Sequence, residues 1–142
     1  PEQVTEIMNK VLTVQVTCIQ AHGGMVDKFI GDACMAIFNA PLELDNHELR
    51  AITCAQDIRT GIRMLQKELP VIGNMGSDTR FDYSAIGDAV NTAARLESAT
   101  KEVGVDLLIG ENTKKSCDFK LKLLDPIKVK GKKDYLKIYT VR

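Results

Sequence analysis

The spacing of apolar residues along the chain predicts four helices. They cover residues 2–22, 45–69, 88–101 and 111–116, and in the two longest segments apolar side chains recur every three or four positions. Gly23-Gly24 follows the first segment, where a helix end favours a residue that takes a left-handed conformation. In the second segment, Asp45 with Glu48 three residues later has the pattern of a capping box, and Pro70 predicts the end of the helix.

Short apolar segments bounded by glycine, proline and asparagine predict the strands. Six are expected, over residues 25–29, 33–38, 81–86, 106–109, 120–130 and 135–141. Only a short turn through Ile30, Gly31 and Asp32 separates the first two, which predicts a hairpin. Helices and mostly antiparallel strands alternate in one unit, which is typical of the α+β class.

Composition and charge exclude several classes of protein. The 142 residues carry 19 Lys and Arg against 19 Asp and Glu, and such a balanced chain without a basic run is not expected to bind nucleic acid through phosphate contacts. No apolar run approaches the roughly 20 residues of a membrane span. The four cysteines lack zinc-site spacing, and three of them lie in apolar segments, as reduced cysteines do. We therefore expect a cytoplasmic domain.

The junction after Pro70 is too short for the structure around it. Only Val71 and Ile72 separate the second predicted helix from a glycine-rich turn at 73–77, whereas a strand would be expected on each side of that turn. We therefore expect that a strand is missing between residues 70 and 71, and that residues are also missing before Pro1.

The predicted hairpin at 25–38 carries the first candidate chemistry. Lys28 and Asp32 lie on either side of its glycine-containing turn, between apolar residues that would hold the turn rigid. A rigid carboxylate suits Mg²⁺, which takes one or two carboxylates together with substrate phosphate. The alternative is that Asp32 is an ordinary turn residue and Lys28 a solvated charge.

The predicted helix at 88–101 carries the second candidate chemistry. Asn91 and Arg95 are four residues apart and share a helix face, with alanines around them that let another surface approach closely. An amide beside a guanidinium can hold a ribose oxygen and a phosphate. The alternative is that Arg95 pairs with Glu97 or another carboxylate and Asn91 is solvated.

Together the two segments resemble one known family. The run VDKFIGDACMAIF at 26–38, followed by IGDAVNTAARLE at 86–97, is similar to the catalytic domain of class III nucleotidyl cyclases, of the bacterial-like adenylate cyclase type. The resemblance extends over residues 1–142 and implies one catalytic domain with a ferredoxin-like, palm-type βαββαβ core. The sheet would be mostly antiparallel, with helices on one face and extra strands at the C-terminal end.

The resemblance implies a metal site and a shared active site. Members of the family form head-to-tail dimers in which two aspartates of one subunit hold two ions, Mg²⁺ or Mn²⁺, in each site. Asp32 matches the second aspartate, and the backbone at Ile30 and Gly31 would lie near the phosphates. The first aspartate belongs to a strand upstream of the first helix and is not in this sequence.

The resemblance also implies the residues that the partner subunit contributes. Lys28 and Ser84 match the positions that read the purine base, and Lys130 matches a basic residue that contacts the terminal phosphates. Asn91 matches the residue that orients the ribose, and Arg95 the one that stabilises charge on the α-phosphate. A lysine at position 28 implies adenine, because an ammonium donates to adenine N1 and a carboxylate would accept from guanine.

The expected function is an adenylate cyclase that acts as a homodimer, because both halves of the site are on one chain. ATP is the expected substrate, an upstream sensor or regulatory domain is an expected partner, and the full-length protein could be membrane-anchored. The alternatives are a guanylate cyclase or an ATP-binding regulatory domain that has lost its chemistry.

Overall fold

The computed structural model describes residues 2–68, 80–82, 88–128 and 134–141. The described helices are α1 (Glu2–Ala21), α2 (His47–Glu68), α3 (Asp88–Val103) and α4 (Glu111–Lys115). The described strands are β1 (Met25–Ile30), β2 (Ala33–Ile37), β3 (Arg80–Asp82), β4 (Ile109–Gly110), β5 (Lys122–Leu123), β6 (Ile127–Lys128), β7 (Tyr135–Leu136) and β8 (Ile138–Thr140). All pairings among them are antiparallel except that of β2 with β3, which confirms the α+β class.

Helix α1 ends in a Schellman motif at the two predicted glycines. The amide of Gly24 donates to the carbonyl of Ile19 at 2.8 Å and that of Gly23 to the carbonyl of Gln20 at 3.1 Å. Gly23 takes a φ of 80°, a left-handed conformation that suits glycine. A Cβ on Gly24 would lie 2.7 Å from the ring of Phe38, so β1 leaves the helix by a path that only glycine permits.

The first sheet has the order β1-β2-β3. β1 and β2 form the predicted hairpin with Ile30 opposite Ala33, so Gly31 and Asp32 are its two-residue turn. Every residue of the central strand β2 is buried, whereas every residue of the edge strand β1 is at least partly exposed. Helices α1 and α2 pack on each other, and α1 also packs on the hairpin.

The C-terminal strands are shorter than the sequence pattern predicts. The expected strand over 120–130 is wrong, because two short strands, β5 and β6, lie there in different sheets. Pro126 precedes β6 and has no N–H to donate to a ladder, which accounts for the break. β8 lies between β4 and β5, and β7 pairs with β6.

Helix α2 is shared by two hydrophobic clusters. One contains Cys54 and Ile58 together with residues of α1 and β2. The other contains Ile52 and Ala55 together with Leu107 and residues near the C-terminal strands. The helix therefore joins the hairpin to the C-terminal part of the described chain.

The start of α2 differs from the predicted capping box. Asn46 has a φ of 55°, which is outside helical geometry, so the helix begins at His47 and Asp45 is not its capping residue. The carbonyl of Asp45 instead accepts from Nε of Arg50 at 3.0 Å. In the described ranges, no helix is long and apolar enough to cross a membrane.

Candidate functional site

Asp32 lies in the β1–β2 turn, next to residues that are buried in the core. Gly31 has a φ of 60°, a Cβ added to it would meet no atom within 4 Å, and Asp32 is exposed beside it. A two-residue hairpin loop with glycine at its first position matches a type II′ turn. Directly after the turn, Ala33 and Cys34 are buried in the core, so the carboxylate lies at the boundary between packed protein and solvent.

Lys28 is on the exposed edge strand β1, three residues before the turn that contains Asp32. Its ammonium is 3.7 Å from the carboxylate of Asp27, and 58% of its side chain is exposed. The pairing of β1 with β2 shifts register between Val26 and Lys28, which is a bulge. Because an exposed ion pair at this distance is weak, the ammonium is available to another partner.

Asn91 and Arg95 share a face of α3, as predicted. Asn91 is exposed and Arg95 is half-buried, while Ala93 and Leu96 on the opposite face are buried. No ion pair between Arg95 and Glu97 or another carboxylate is seen among the described residues, and Glu97 accepts a hydrogen bond from Oγ of Ser98 at 3.3 Å. An amide and a guanidinium therefore project together from one side of the helix.

The two halves of the candidate site lie on different parts of the chain. Asp32 and Lys28 belong to the β1–β2 hairpin, whereas α3 packs on β3 and β4. No hydrogen bond or ion pair links the hairpin pair to Asn91 or Arg95 among the described residues. Ser84 and Lys130, the other two predicted substrate-binding residues, lie outside the described residues.

A divalent ion fits the turn only in part. The exposed carboxylate of Asp32 is a suitable ligand, since Mg²⁺ needs few carboxylates when phosphate and water complete its shell. In the part of the chain that the structure describes, no group of three acidic, histidine or cysteine side chains could hold a metal. The described residues thus supply one ligand rather than a two-ion site.

Three of the four cysteines are not candidates for this chemistry. Burial raises the pKa of Cys18, Cys34 and Cys54, and for Cys18 and Cys54 the nearby carboxylate of Asp57 raises it further. These three side chains therefore remain protonated thiols at neutral pH, whereas a nucleophile or metal ligand must be a thiolate.

One residue beneath the site was missed by the sequence pattern. Gln15 is fully buried in α1, and its Nε2 donates to the backbone carbonyl of Asp32 at 3.3 Å. Val11 and Ile19, one turn before and after it, are buried apolar residues. The available signal was a glutamine in the middle of an apolar helix stripe, because a buried amide is costly unless it is hydrogen-bonded.

Comparison with protein families gives a match over the whole chain. The family described as "Adenylate and Guanylate cyclase catalytic domain" matches residues 1–142. The chain is 34% identical to an adenylate cyclase of Anabaena cylindrica, with 100% of this chain and 33% of that protein aligned. It is also 34% identical to the terminal-differentiation specific adenylate cyclase of Dictyostelium discoideum, with 99% of this chain and 8% of that protein aligned. The chain thus spans a third or less of these relatives.

Solved structures of similar shape are cyclases too. The adenylyl cyclase CyaB from P. aeruginosa superposes with a TM-score of 0.80 at 27% identity, over 98% of this chain and 82% of that one. A bacterial light-regulated adenylyl cyclase gives a TM-score of 0.76 at 28% identity, over 99% of this chain and 45% of that one. The fold and the sequence therefore agree on the same group of proteins.

Proposed function

Because this chain belongs to the adenylate and guanylate cyclase catalytic domain family, we propose that the protein converts ATP to 3′,5′-cyclic AMP and pyrophosphate. The observation that carries this proposal is the hairpin, on which an exposed carboxylate lies in the two-residue turn and an exposed lysine lies on the strand before it. Two relatives of this chain bear the name adenylate cyclase, which supports the choice of reaction.

The choice of ATP over GTP rests on Lys28. Its weakly paired ammonium can donate a hydrogen bond to adenine N1, whereas guanine presents an N–H there. A mismatched pair would leave two donors facing each other in a buried site, which costs about 1–3 kcal/mol. Ser84 is proposed as the second base-reading residue, with its hydroxyl accepting from the adenine amino group.

The reaction needs positioned charge rather than a side-chain nucleophile. The ribose 3′-oxygen forms a bond to the α-phosphorus while the bond from that phosphorus to the bridging oxygen breaks. Pyrophosphate leaves, and the proton of the hydroxyl passes to water. We assign Asn91 to orientation of the ribose and Arg95 to the charge that develops on the α-phosphate, as a positioned guanidinium does in phosphoryl transfer. Lys130 is proposed to hold the terminal phosphates.

Asp32 is the ligand that this chain offers to the divalent ions of the family. Bound Mg²⁺ or Mn²⁺, two per site in the proposal, would lower the pKa of the 3′-hydroxyl and neutralise the triphosphate. The protein's own contribution is the turn, which fixes the carboxylate and leaves the backbone of Ile30 and Gly31 beside the phosphates. The second carboxylate of the set is proposed to lie outside these 142 residues.

A homodimer would bring the two halves of the site together. The edge strand β1 exposes Phe29 by 52% and Ile30 by 40%, and Phe29 lines a groove of about 320 Å³ with Leu12 and Val16 of α1. Neighbouring exposed apolar side chains of this kind mark interaction surfaces. A second copy packed here would place Lys28 at an interface rather than in solvent.

We also propose that residues 1–142 form a single catalytic domain that lacks an internal segment between residues 70 and 71. The alignment with the Anabaena cylindrica protein extends over 164 residues, whereas this chain supplies 142. A difference of 22 residues supports a missing strand with its connections, since a strand is usually 3–10 residues long.

An ATP-binding regulatory domain without catalysis is the second candidate. It is favoured by one observation, namely that the described residues do not supply a complete metal site. An assay of the full-length protein with ATP and with GTP, in Mg²⁺ and in Mn²⁺, separates these proposals. We expect cyclic AMP as the main product; faster cyclisation of GTP would contradict the base assignment, and ATP binding without any product would favour the regulatory role.

A further inference from the structure

We propose that Gln15 is a positioning residue that holds the Asp32 turn in place from the core side. The proposal rests on the function assigned above to Asp32. Gln15 itself touches neither substrate nor metal in this proposal, and it acts through the backbone of the turn.

The burial of Gln15 is the first argument. Its side chain has 0% exposure and lies on the same face of α1 as Val11 and Ile19, which are 5% and 1% exposed. Three consecutive turns of one helix face are thus buried, and the middle one carries an amide. An amide in such a place is costly unless its polar atoms are hydrogen-bonded.

The hydrogen bonding of Gln15 is the second argument. Its Nε2 donates to the carbonyl oxygen of Asp32 at 3.3 Å, and because a carbonyl can only accept, the orientation of the amide is fixed. Its Oε1 is buried with no partner within the described part of the chain. An apolar side chain of equal length would remove this unsatisfied atom, so stability alone does not explain the glutamine.

The position of the accepting carbonyl is the third argument. Asp32 is the second residue of a two-residue turn whose first residue, Gly31, has a left-handed φ and open space around it. Nothing on the solvent side therefore restrains the turn among the described residues. A hydrogen bond from the core to the carbonyl of Asp32 restrains the peptide unit that follows the carboxylate, and with it the direction of the carboxylate.

The test compares Gln15→Met with Val11→Ala in the full chain. Met keeps the length of the side chain and removes both polar atoms, so Tm should stay equal or rise. Hydrogen exchange of the amides at 31–35 should become about fivefold faster, as expected for the loss of one neutral hydrogen bond. Val11→Ala should lower Tm, because it leaves a cavity one turn away, without a selective change at the turn.

A second measurement follows the metal. The Mn²⁺ concentration that gives half-maximal activity should rise about fivefold in Gln15→Met, with little change in KM for ATP at saturating Mn²⁺. Unchanged exchange at 31–35 would overturn the proposal, even if the protein is an active cyclase. If the wild-type protein forms no cyclic nucleotide, the proposed function fails, while the exchange measurement still decides the role of Gln15.

A second apolar variant controls for a failure of methionine to pack at position 15. Gln15→Leu provides a second apolar replacement in case Met does not pack. If neither variant folds, the amide is a requirement of the core as a whole, and the positioning role is contradicted.

Discussion

The β1–β2 hairpin and helix α3 carry the two halves of one proposed active site, and they are built differently. One strand of the hairpin, β2, is fully buried, the turn at its tip contains a glycine, and α1 donates a hydrogen bond to the backbone of Asp32. Helix α3 instead presents Asn91 and Arg95 from a regular helix face, backed by small buried alanines. The hairpin fixes the position of the backbone that carries Asp32. The helix fixes the direction in which Asn91 and Arg95 leave the backbone.

The two halves differ in how firmly each holds its functional groups. The carboxylate of Asp32 is held close to the backbone of a tight turn, whereas the guanidinium of Arg95 is at the end of a long side chain that loses rotamer freedom when it binds an anion. In the proposed homodimer, Asp32 comes from one copy and Arg95 from the other. Substitutions in each half test this division.

Replacement of the carboxylate should have the largest effect. Asp32→Asn keeps the volume of the side chain and removes the charge that binds a divalent ion, so cyclic AMP formation should be abolished in Mg²⁺ and in Mn²⁺. Size-exclusion chromatography and circular dichroism should show an unchanged dimer and fold. Undiminished activity at low metal concentration would contradict the assignment of Asp32.

Mixing two inactive variants should restore activity. Homodimers of Asp32→Ala and of Arg95→Ala each have two defective sites, and loss of the arginine alone should lower kcat by about 10²–10³-fold. In a mixed dimer one site collects both defects and the other has neither. With equal amounts and free exchange, roughly a quarter of wild-type activity should return, by the symmetry of a two-fold interface.

The mixing experiment needs a check on subunit exchange. Two different affinity tags, one on each variant, allow the mixed dimer to be isolated and assayed directly. A purified mixed dimer that is no more active than the separate variants would break the division into hairpin and helix halves.

The base-reading residues should have a smaller effect than the metal ligand. Lys28→Glu combined with Ser84→Cys should lower kcat/KM for ATP at least about tenfold and admit GTP, because a carboxylate at position 28 would accept where the ammonium donated, and a thiol at position 84 accepts more weakly than the hydroxyl. Lys10→Glu is the matched control, since Lys10 is an exposed lysine on α1 whose reversal changes the net charge equally. An equal loss in both variants would point to general charge rather than base reading.

The smallest expected effect is on the free energy of unfolding, through packing next to the hairpin and next to α3. Gly24→Ala would push a methyl group to 2.7 Å from Phe38 and 2.9 Å from Ile19, both fully buried, and should cost about 1–3 kcal/mol of unfolding free energy. Gly110→Ala, near the helix half, meets Leu96 at an ordinary 3.4 Å and should be close to neutral. Thermal denaturation of both variants measures the difference, and equal Tm values would show that the hairpin is not the tighter region.

The hairpin could be predicted from its residue types, whereas the ends of several other elements could not. Glycines and a fully apolar strand predicted a turn through residues 30–32, and in the structure the turn is residues 31 and 32, with Ile30 in β1. Pro126, which has no N–H to donate to a ladder, was the available signal against one long strand over 120–130. The start of α2 depended on the left-handed Asn46, a choice of conformation that residue type alone leaves open.

The candidate site was predictable only residue by residue. Four-residue spacing on a helix is enough to place Asn91 and Arg95 on one face, as the structure confirms. Contact between Gln15 and Asp32 joins positions 17 residues apart, and no periodicity reports such a pairing. The assignments of Ser84 and Lys130 stay predictions, since both lie outside the described residues.

The position of helix α2 between two hydrophobic clusters determines how the domain unfolds. It buries Cys54 and Ile58 against the hairpin side and Ile52 and Ala55 against the C-terminal side, and Arg59 adds a hydrogen bond to the carbonyl of Val141 at 3.1 Å. Neither cluster can lose its packing without uncovering a flank of the same helix. The two therefore share one cooperative unit, and heating should melt the hairpin and the C-terminal strands in a single transition.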